Sequence, residues 1–112
     1  KHALQQHRLG AEVAGEITYA CLGQQFIRKS AATLLWIAVV RRMTWRYGER
    51  GYRYLLLDAG HVCQNLYLAA ESIGCGACAV AAFDDDRLNE ALGLDGVRNF
   101  VIYLGAVGKR RP

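Results

Sequence analysis

The sequence lacks any apolar run that could cross a membrane. The longest run, AATLLWIAVV (Ala31–Val40), has ten residues, about half of the ~20 that a transmembrane helix needs. The one proline is the last residue, and no Pro-rich or Ser-rich linker or internal repeat interrupts the chain, so we expect one compact unit. With 53% hydrophobic and 21% charged residues, the composition excludes a disordered chain.

Neither a disulfide framework nor a zinc site is indicated by the cysteines. The sequence begins without an initiator methionine or a secretory signal, so we expect a segment of a longer, cytoplasmic protein with reduced thiols. Only Cys75 and Cys78 have the C-x-x-C spacing, whereas structural zinc needs four ligands. A thioredoxin-like motif begins a helix after a strand, but this one follows a predicted helix. We interpret both cysteines as small apolar residues that fill space, and we expect no metal.

Phosphate-binding loop motifs are absent as well. G-x-x-x-x-G-K-[ST] does not occur, and no third glycine completes a dinucleotide fingerprint after Gly74 and Gly76. The same segment, GCGACAVAA (Gly74–Ala82), has no side chain larger than valine. A flat ligand could therefore lie directly against its main chain. Tight packing between a helix and a strand explains the same composition equally well.

The net charge of +4 is modest, but its placement is informative. Basic residues cluster in RRMTWRYGERGYR (Arg41–Arg53) and in GKRRP (Gly108–Pro112). Such clusters suit phosphate groups of a nucleic acid or of a cofactor, and an ordinary solvated surface is the alternative interpretation. No nucleic-acid recognition motif accompanies them, so we expect neither a nucleic-acid nor a membrane partner.

Hydrophobic periodicity predicts an alternation of helices and strands. The longest predicted helix, Tyr54–Ile73, has two adjacent apolar rows and is closed by Gly74. Two apolar rows give this helix more apolar surface than one small monomer can bury. We therefore expect the helix to pack against a partner as well as against its own sheet. The other predicted elements are a helix over Leu9–Leu22, a strand over Ala31–Val40 buried on both faces, a short apolar strand entered from the Cys75/Cys78 pair, a helix capped by Asp85 or Asp86 and ending at Leu92, and a strand over Asn99–Gly108.

One long stretch resembles a known family. YGERGYRYLLLDAGHVCQNLYLAAESIGCGACAVAAFDDDRLNEALGLDG (Tyr47–Gly96) is similar to the C-terminal half of nitroreductase-like flavoproteins, especially their SagB-type dehydrogenase branch. The resemblance rests on these motifs: YRY, the helix DAGHVCQNLYLAAESIG, the segment of tiny residues, FDDD, LNEALGLDG and the ending VIYLGAVGK. The resemblance extends upstream through CLGQQFI and LLWIAVV, so it covers nearly the whole chain.

The resemblance implies an α+β nitroreductase-like fold, with a mixed sheet flanked by helices and a long central dimerisation helix. Residues 1–112 would form a single nitroreductase-like domain, its C-terminal part, since the family's N-terminal half has no counterpart here. The implied function is an FMN-dependent oxidoreductase that passes hydride between the flavin and NAD(P)H or another small-molecule or peptide substrate. The implied partner is a second copy of the chain, with FMN held at the dimer interface.

The resemblance also assigns site residues. Basic residues after the last strand, Lys109 and Arg110, would reach the FMN phosphate. Azoline-oxidising members carry a Lys-Tyr pair before the long helix, which aligns with Gly51 and Tyr52 and leaves Tyr52 as the catalytic candidate. The residues beside the flavin ring would be Ala79, Val80, Ala81 and Ala82. The alternative function is a non-catalytic dimerisation or scaffold piece that keeps the fold without flavin.

Overall fold

The computed structural model describes residues 11–111. No helix in this range is long and apolar enough to cross a membrane. The longest helix has 22 residues and a length of about 33 Å. Along the chain, the elements are α1 (Ala11–Ala20), α2 (Gln25–Lys29), β1 (Ala32–Val39), α3 (Arg41–Tyr47), a 3-10 turn (Gly48–Arg50), α4 (Gly51–Ser72), β2 (Cys75–Val80), α5 (Asp85–Ala91) and β3 (Asn99–Lys109).

The strands form an antiparallel sheet in the order β1-β3-β2. Leu104 of the central strand pairs with Leu35 on one side and with Val80 on the other. β1 and β2 therefore run parallel to each other, but β3 lies between them. The expected mixed sheet is wrong for residues 11–111, because the inserted strand is antiparallel to both of its neighbours.

Helices cover the two faces of the sheet in different ways. On one face, Leu88 of α5 and Leu104 of β3 are fully buried in a cluster that also contains Ile17, Cys21 and Val80. Side chains alternate between faces along a strand, so Gly105 lies on the opposite face. There it meets Leu66 of α4, which places the long helix against the back of the sheet.

Gly105 allows α4 to approach the sheet closely. A Cβ at this position would overlap with Leu66 and would lie 3.2 Å from the indole ring of Trp36. Gly105 pairs with Ala79 of β2. The close approach therefore occurs beside the segment that the sequence identifies as a candidate ligand contact.

We expect Gly105→Ala to lower the melting temperature, because the added methyl group must displace Leu66 or Trp36. Overpacking of this kind costs about 1–3 kcal/mol. Thermal unfolding measures the change, and Gly108→Ala is the matched control because a Cβ there meets only the Ala31 nitrogen at 3.9 Å. In a Leu66→Ala background the penalty should shrink. Equal stability of Gly105→Ala and the parent would contradict this packing.

Several predicted elements are confirmed with small changes at their ends. The long helix begins at Gly51, three residues before Tyr54, while the first and last predicted strands correspond to β1 and β3. Gly74 ends α4 as predicted, with a φ of +75° and an N–H that donates to the Glu71 carbonyl at 3.2 Å. The first helix is confirmed over Ala11–Ala20, and its predicted start at Leu9 lies outside the described residues.

Two details of the prediction are wrong. β1 is not buried on both faces, since Leu34 and Ile37 are 41% and 46% exposed. This strand is an edge of the described sheet, and nothing in residues 11–111 shields these side chains. The cap of α5 is Asp84 rather than Asp85 or Asp86, because its carboxylate accepts the Arg87 N–H at 3.1 Å.

Candidate functional site

The segment Gly74–Ala82 contains the predicted short strand, which is the edge strand β2 over Cys75–Val80, followed by a short link to α5. β2 pairs with β3 along one side only. The Val80 side chain is 3% exposed and belongs to the core, whereas Ala81 and Ala82 are exposed. The side chain of Val80 therefore cannot face a ligand, and the accessible groups here are main-chain atoms and alanine methyl groups.

Some of the backbone N–H and C=O groups of this segment already form hydrogen bonds within the protein. The Ala79 N–H donates to the Tyr67 hydroxyl at 2.8 Å, and the Ala82 carbonyl accepts from Gln24 Nε2 at 3.0 Å. Between them, the Ala81 N–H has no hydrogen-bond partner among the described residues. An exposed, unpaired donor can bind a ligand acceptor without first breaking a protein hydrogen bond.

The C-x-x-C pair does not form a dithiol site. Cys75 and Cys78 are three residues apart in a strand, so their side chains project from opposite faces. Burial raises the pKa of the Cys63 and Cys21 thiols, which keeps both protonated and unreactive. Within residues 11–111, no three His, Cys, Asp or Glu side chains are grouped to hold a metal ion.

A cationic cleft lies at the beginning of β2 and the end of β3. It has a volume of about 330 Å³ and no acidic residue in its lining. Its wall contains the small residues Gly76–Cys78 and Ala106–Gly108. Its cationic side chains are Lys29, Lys109, Arg110 and Arg111. The two predicted phosphate partners, Lys109 and Arg110, therefore line one cleft, which suits a phosphate group.

Lys29 and Arg111 complete this charge cluster; the sequence interpretation missed Lys29 and gave Arg111 no role of its own. Lys29 is brought to the cleft by the pairing of the Ala31 N–H with the Val107 carbonyl at 2.9 Å. This contact joins residues far apart in sequence, so no local pattern could reveal it. Arg111 belongs to the GKRRP cluster, but the sequence alone gives no reason to prefer it to the other basic residues. Its position in the lining of the cleft supplies that reason.

Arg110 is not equivalent to Lys109. Its guanidinium forms an ion pair with Glu71 near the end of α4. Both side chains are more than half exposed, so the pair contributes little to stability. It nevertheless neutralises part of the charge of Arg110 and leaves Lys109 as the stronger candidate for an anionic ligand.

Tyr52 lies in a different cleft. Its side chain is 47% exposed and lines a cavity of about 500 Å³ together with Val40, Arg41, Val97 and Arg98. This cavity is at the Val39/Asn99 end of the sheet, whereas the cationic cleft is at the Ala32/Val107 end. Seven residues of β1 separate these ends, about 23 Å. The structure therefore does not bring Tyr52 together with Lys109 and Arg110.

The cationic cleft and Ala81 lie at opposite ends of one strand. Lys109 pairs with Cys75, and six residues of extended chain from Cys75 to Ala81 span about 20 Å. The strand between them presents glycine, alanine and cysteine side chains. The arrangement suits an elongated ligand with a phosphate at one end and a flat polar group at the other.

Comparison with known proteins places the chain in a family. The model of the nitroreductase family matches residues 1–109. A Methanocaldococcus jannaschii protein named as a nitroreductase is 38% identical over 102 residues, 91% of this chain and 50% of that protein. The chain thus spans about half the length of this curated relative.

Solved structures show the same fold. An Anabaena variabilis protein described as a nitroreductase is 38% identical, with a TM-score of 0.77 over 88% of this chain and 20% of that one. The NADPH:FMN oxidoreductase of Vibrio harveyi, solved with NAD+, is 20% identical, with a TM-score of 0.79 over 94% of this chain and 49% of that one. The chain belongs to the nitroreductase family.

Proposed function

We propose that this chain is part of an FMN-dependent oxidoreductase that exchanges hydride between the flavin and NAD(P)H or another organic substrate. The observation that carries the proposal is the geometry of β2, with a cationic cleft at one end and the unpaired Ala81 N–H at the other. FMN has a phosphate at one end and a flat polar ring at the other. The residues present therefore fit it.

The two ends of β2 would bind different parts of FMN. The Lys109 ammonium group, assisted by Lys29 and Arg111, would bind the FMN phosphate through charge-assisted hydrogen bonds. The Ala81 N–H would donate to a polar atom at the ring edge, and the small side chains of Ala79, Ala81 and Ala82 would leave space for the ring. Bound FMN supplies the hydride chemistry, while the protein supplies position and electrostatics.

Tyr52 remains a catalytic candidate on the substrate side. Its exposed hydroxyl could exchange a proton with a substrate in the cleft beside Arg41 and Arg98. The separation from the cationic cleft requires that Tyr52 act on the substrate rather than on the FMN phosphate. Full turnover with Tyr52→Phe would contradict this role.

We further propose that two copies pair through α4. Its large apolar side chains remain exposed, including Leu56 at 64%, Leu57 at 53% and Leu68 at 60%. Clustered exposed apolar residues of this kind mark interaction surfaces, and a central helix shared between subunits would bury them. A solution mass of one subunit, measured by light scattering, would contradict this pairing.

The resemblance to the SagB-type branch is part of the proposal, but azoline oxidation is not. Gly51 occupies the position that aligns with the lysine of azoline-oxidising members. A Cβ at Gly51 would lie 3.1 Å from Met43 Cγ and 3.2 Å from the Thr44 nitrogen. A side chain there would require α3 to shift by a few tenths of an ångström, so the local packing suits the glycine, and we propose flavin redox chemistry without that lysine.

The proposal is tested by anaerobic addition of NADPH to the FMN-loaded complete gene product. The expected result is loss of the oxidised-flavin absorption band, followed by its return when air is admitted. Bound FMN that stays oxidised under NADPH, NADH and dithionite alike would contradict an enzyme role. The non-catalytic scaffold would then be the better account, since it shares the exposed surface of α4 but needs no reactive flavin.

A further inference from the structure

Two side chains from separate elements hold the ends of the segment Ala79–Ala82. Tyr67 of α4 accepts the Ala79 N–H at 2.8 Å. Gln24, between α1 and α2, donates from Nε2 to the Ala82 carbonyl at 3.0 Å. The Ala81 N–H, which has no hydrogen-bond partner among the described residues, lies between these two attachments.

The two attachments have little freedom to move. Gln24 Nε2 also donates to the Cys21 carbonyl at 2.8 Å, so both amide hydrogens are used and the side chain bridges the end of α1 to Ala82. The next residues are fixed too, because the Asp84 N–H donates to the Ala20 carbonyl at 2.8 Å. Tyr67 lies on the helix that packs closely on Gly105, the residue paired with Ala79.

We infer that Tyr67 and Gln24 are positioning residues, which fix the Ala81 N–H against the polar edge of the flavin ring. This inference rests on the proposed FMN function. Neither side chain needs to touch the flavin, since each acts through the peptide group that it holds. Because a hydrogen bond to a flavin ring atom affects the electronic state of the ring, a displaced Ala81 should change both the affinity for FMN and the properties of the bound flavin.

The test uses two variants that remove one attachment each. Tyr67→Phe deletes the hydroxyl that accepts the Ala79 N–H. Gln24→Glu keeps the shape but replaces the amide donor by a carboxylate, which cannot donate to Ala82 at neutral pH. The matched controls are Tyr54→Phe, whose hydroxyl accepts from Arg50 Nε in the adjoining 3-10 turn, and Gln25→Glu on the neighbouring exposed residue.

The complete gene product of each variant is titrated with FMN, and the flavin absorption band, the reduction potential and the melting temperature are recorded. We expect each test variant to bind FMN roughly threefold to tenfold more weakly, the effect of one net hydrogen bond. The visible band and the potential of the bound flavin should also shift. Both controls should match the parent in all three flavin measurements.

The possible results separate the inference from the function on which it rests. If the parent binds FMN and the test variants change only the melting temperature, Tyr67 and Gln24 are structural and the inference is wrong. Controls that shift the potential as far as the test variants would also overturn it. Failure of the parent itself to bind FMN would overturn the proposed function and this inference together.

Discussion

Ala81→Trp should weaken FMN binding strongly in a protein that otherwise folds normally. Ala81 is exposed in the link between β2 and α5, so an indole there need not disturb the core. If the flavin ring lies against this segment, the same indole occupies the space of the ring. A steric conflict of about 1–3 kcal/mol corresponds to a loss in affinity of roughly fivefold to 150-fold.

A series of substitutions makes this test specific. Ala81→Gly and Ala81→Ser should retain FMN, because both side chains are small and the peptide N–H is unchanged, whereas Ala81→Glu should resemble Ala81→Trp. Ala14→Trp, at an exposed alanine of α1, controls for the addition of an indole to the surface. Unchanged FMN content in Ala81→Trp would remove the assignment of this segment to the flavin ring.

Reversing the charge of Lys109 should weaken FMN binding by about tenfold to 100-fold. The cleft concentrates cationic side chains without an acidic residue in its lining, and a charge-assisted hydrogen bond contributes about 1.5–3 kcal/mol. Lys109→Glu removes this interaction and places a negative charge beside the phosphate. Because Arg110 is already paired with Glu71, Arg110→Glu should have the smaller effect.

The control for charge reversal is Arg53→Glu, near the start of α4. Lys109 pairs with Cys75, just beyond the end of the same helix, so about 30 Å of helix separates the two sites. The loss of affinity in Lys109→Glu should also grow smaller at high salt, since salt screens exposed charges. An equal effect of Arg53→Glu and Lys109→Glu would favour non-specific electrostatics over a phosphate site.

Regular patterns made much of the fold predictable. α4 could be identified because its apolar rows persist from Leu55 to Ile73. Its end could be predicted because Gly74 readily adopts the positive φ that closes a helix. α2 and α3 were missed, because helices of five and seven residues are too short to display a periodic apolar face.

Contacts between distant parts of the chain were not predictable from local sequence. β2 consists mainly of alanine, glycine and cysteine, which have little preference for strands. It is a strand because β3 pairs with it. The same reason explains Lys29, Tyr67 and Gln24, whose roles depend on partners in other elements. The composition of Gly74–Ala82 supports contact with a ligand and tight packing equally well. Only the resemblance to nitroreductase-like flavoproteins favoured contact with a flavin.

The most direct test of the central claim, FMN binding, is the absorption spectrum of the purified complete gene product, recorded beside that of residues 1–112 alone. The account predicts flavin bands in the complete protein, with FMN released into solution on denaturation. A complete protein that is colourless, and that cannot be reconstituted with added FMN, would contradict the account and leave a dimerisation scaffold as the better explanation of this fold.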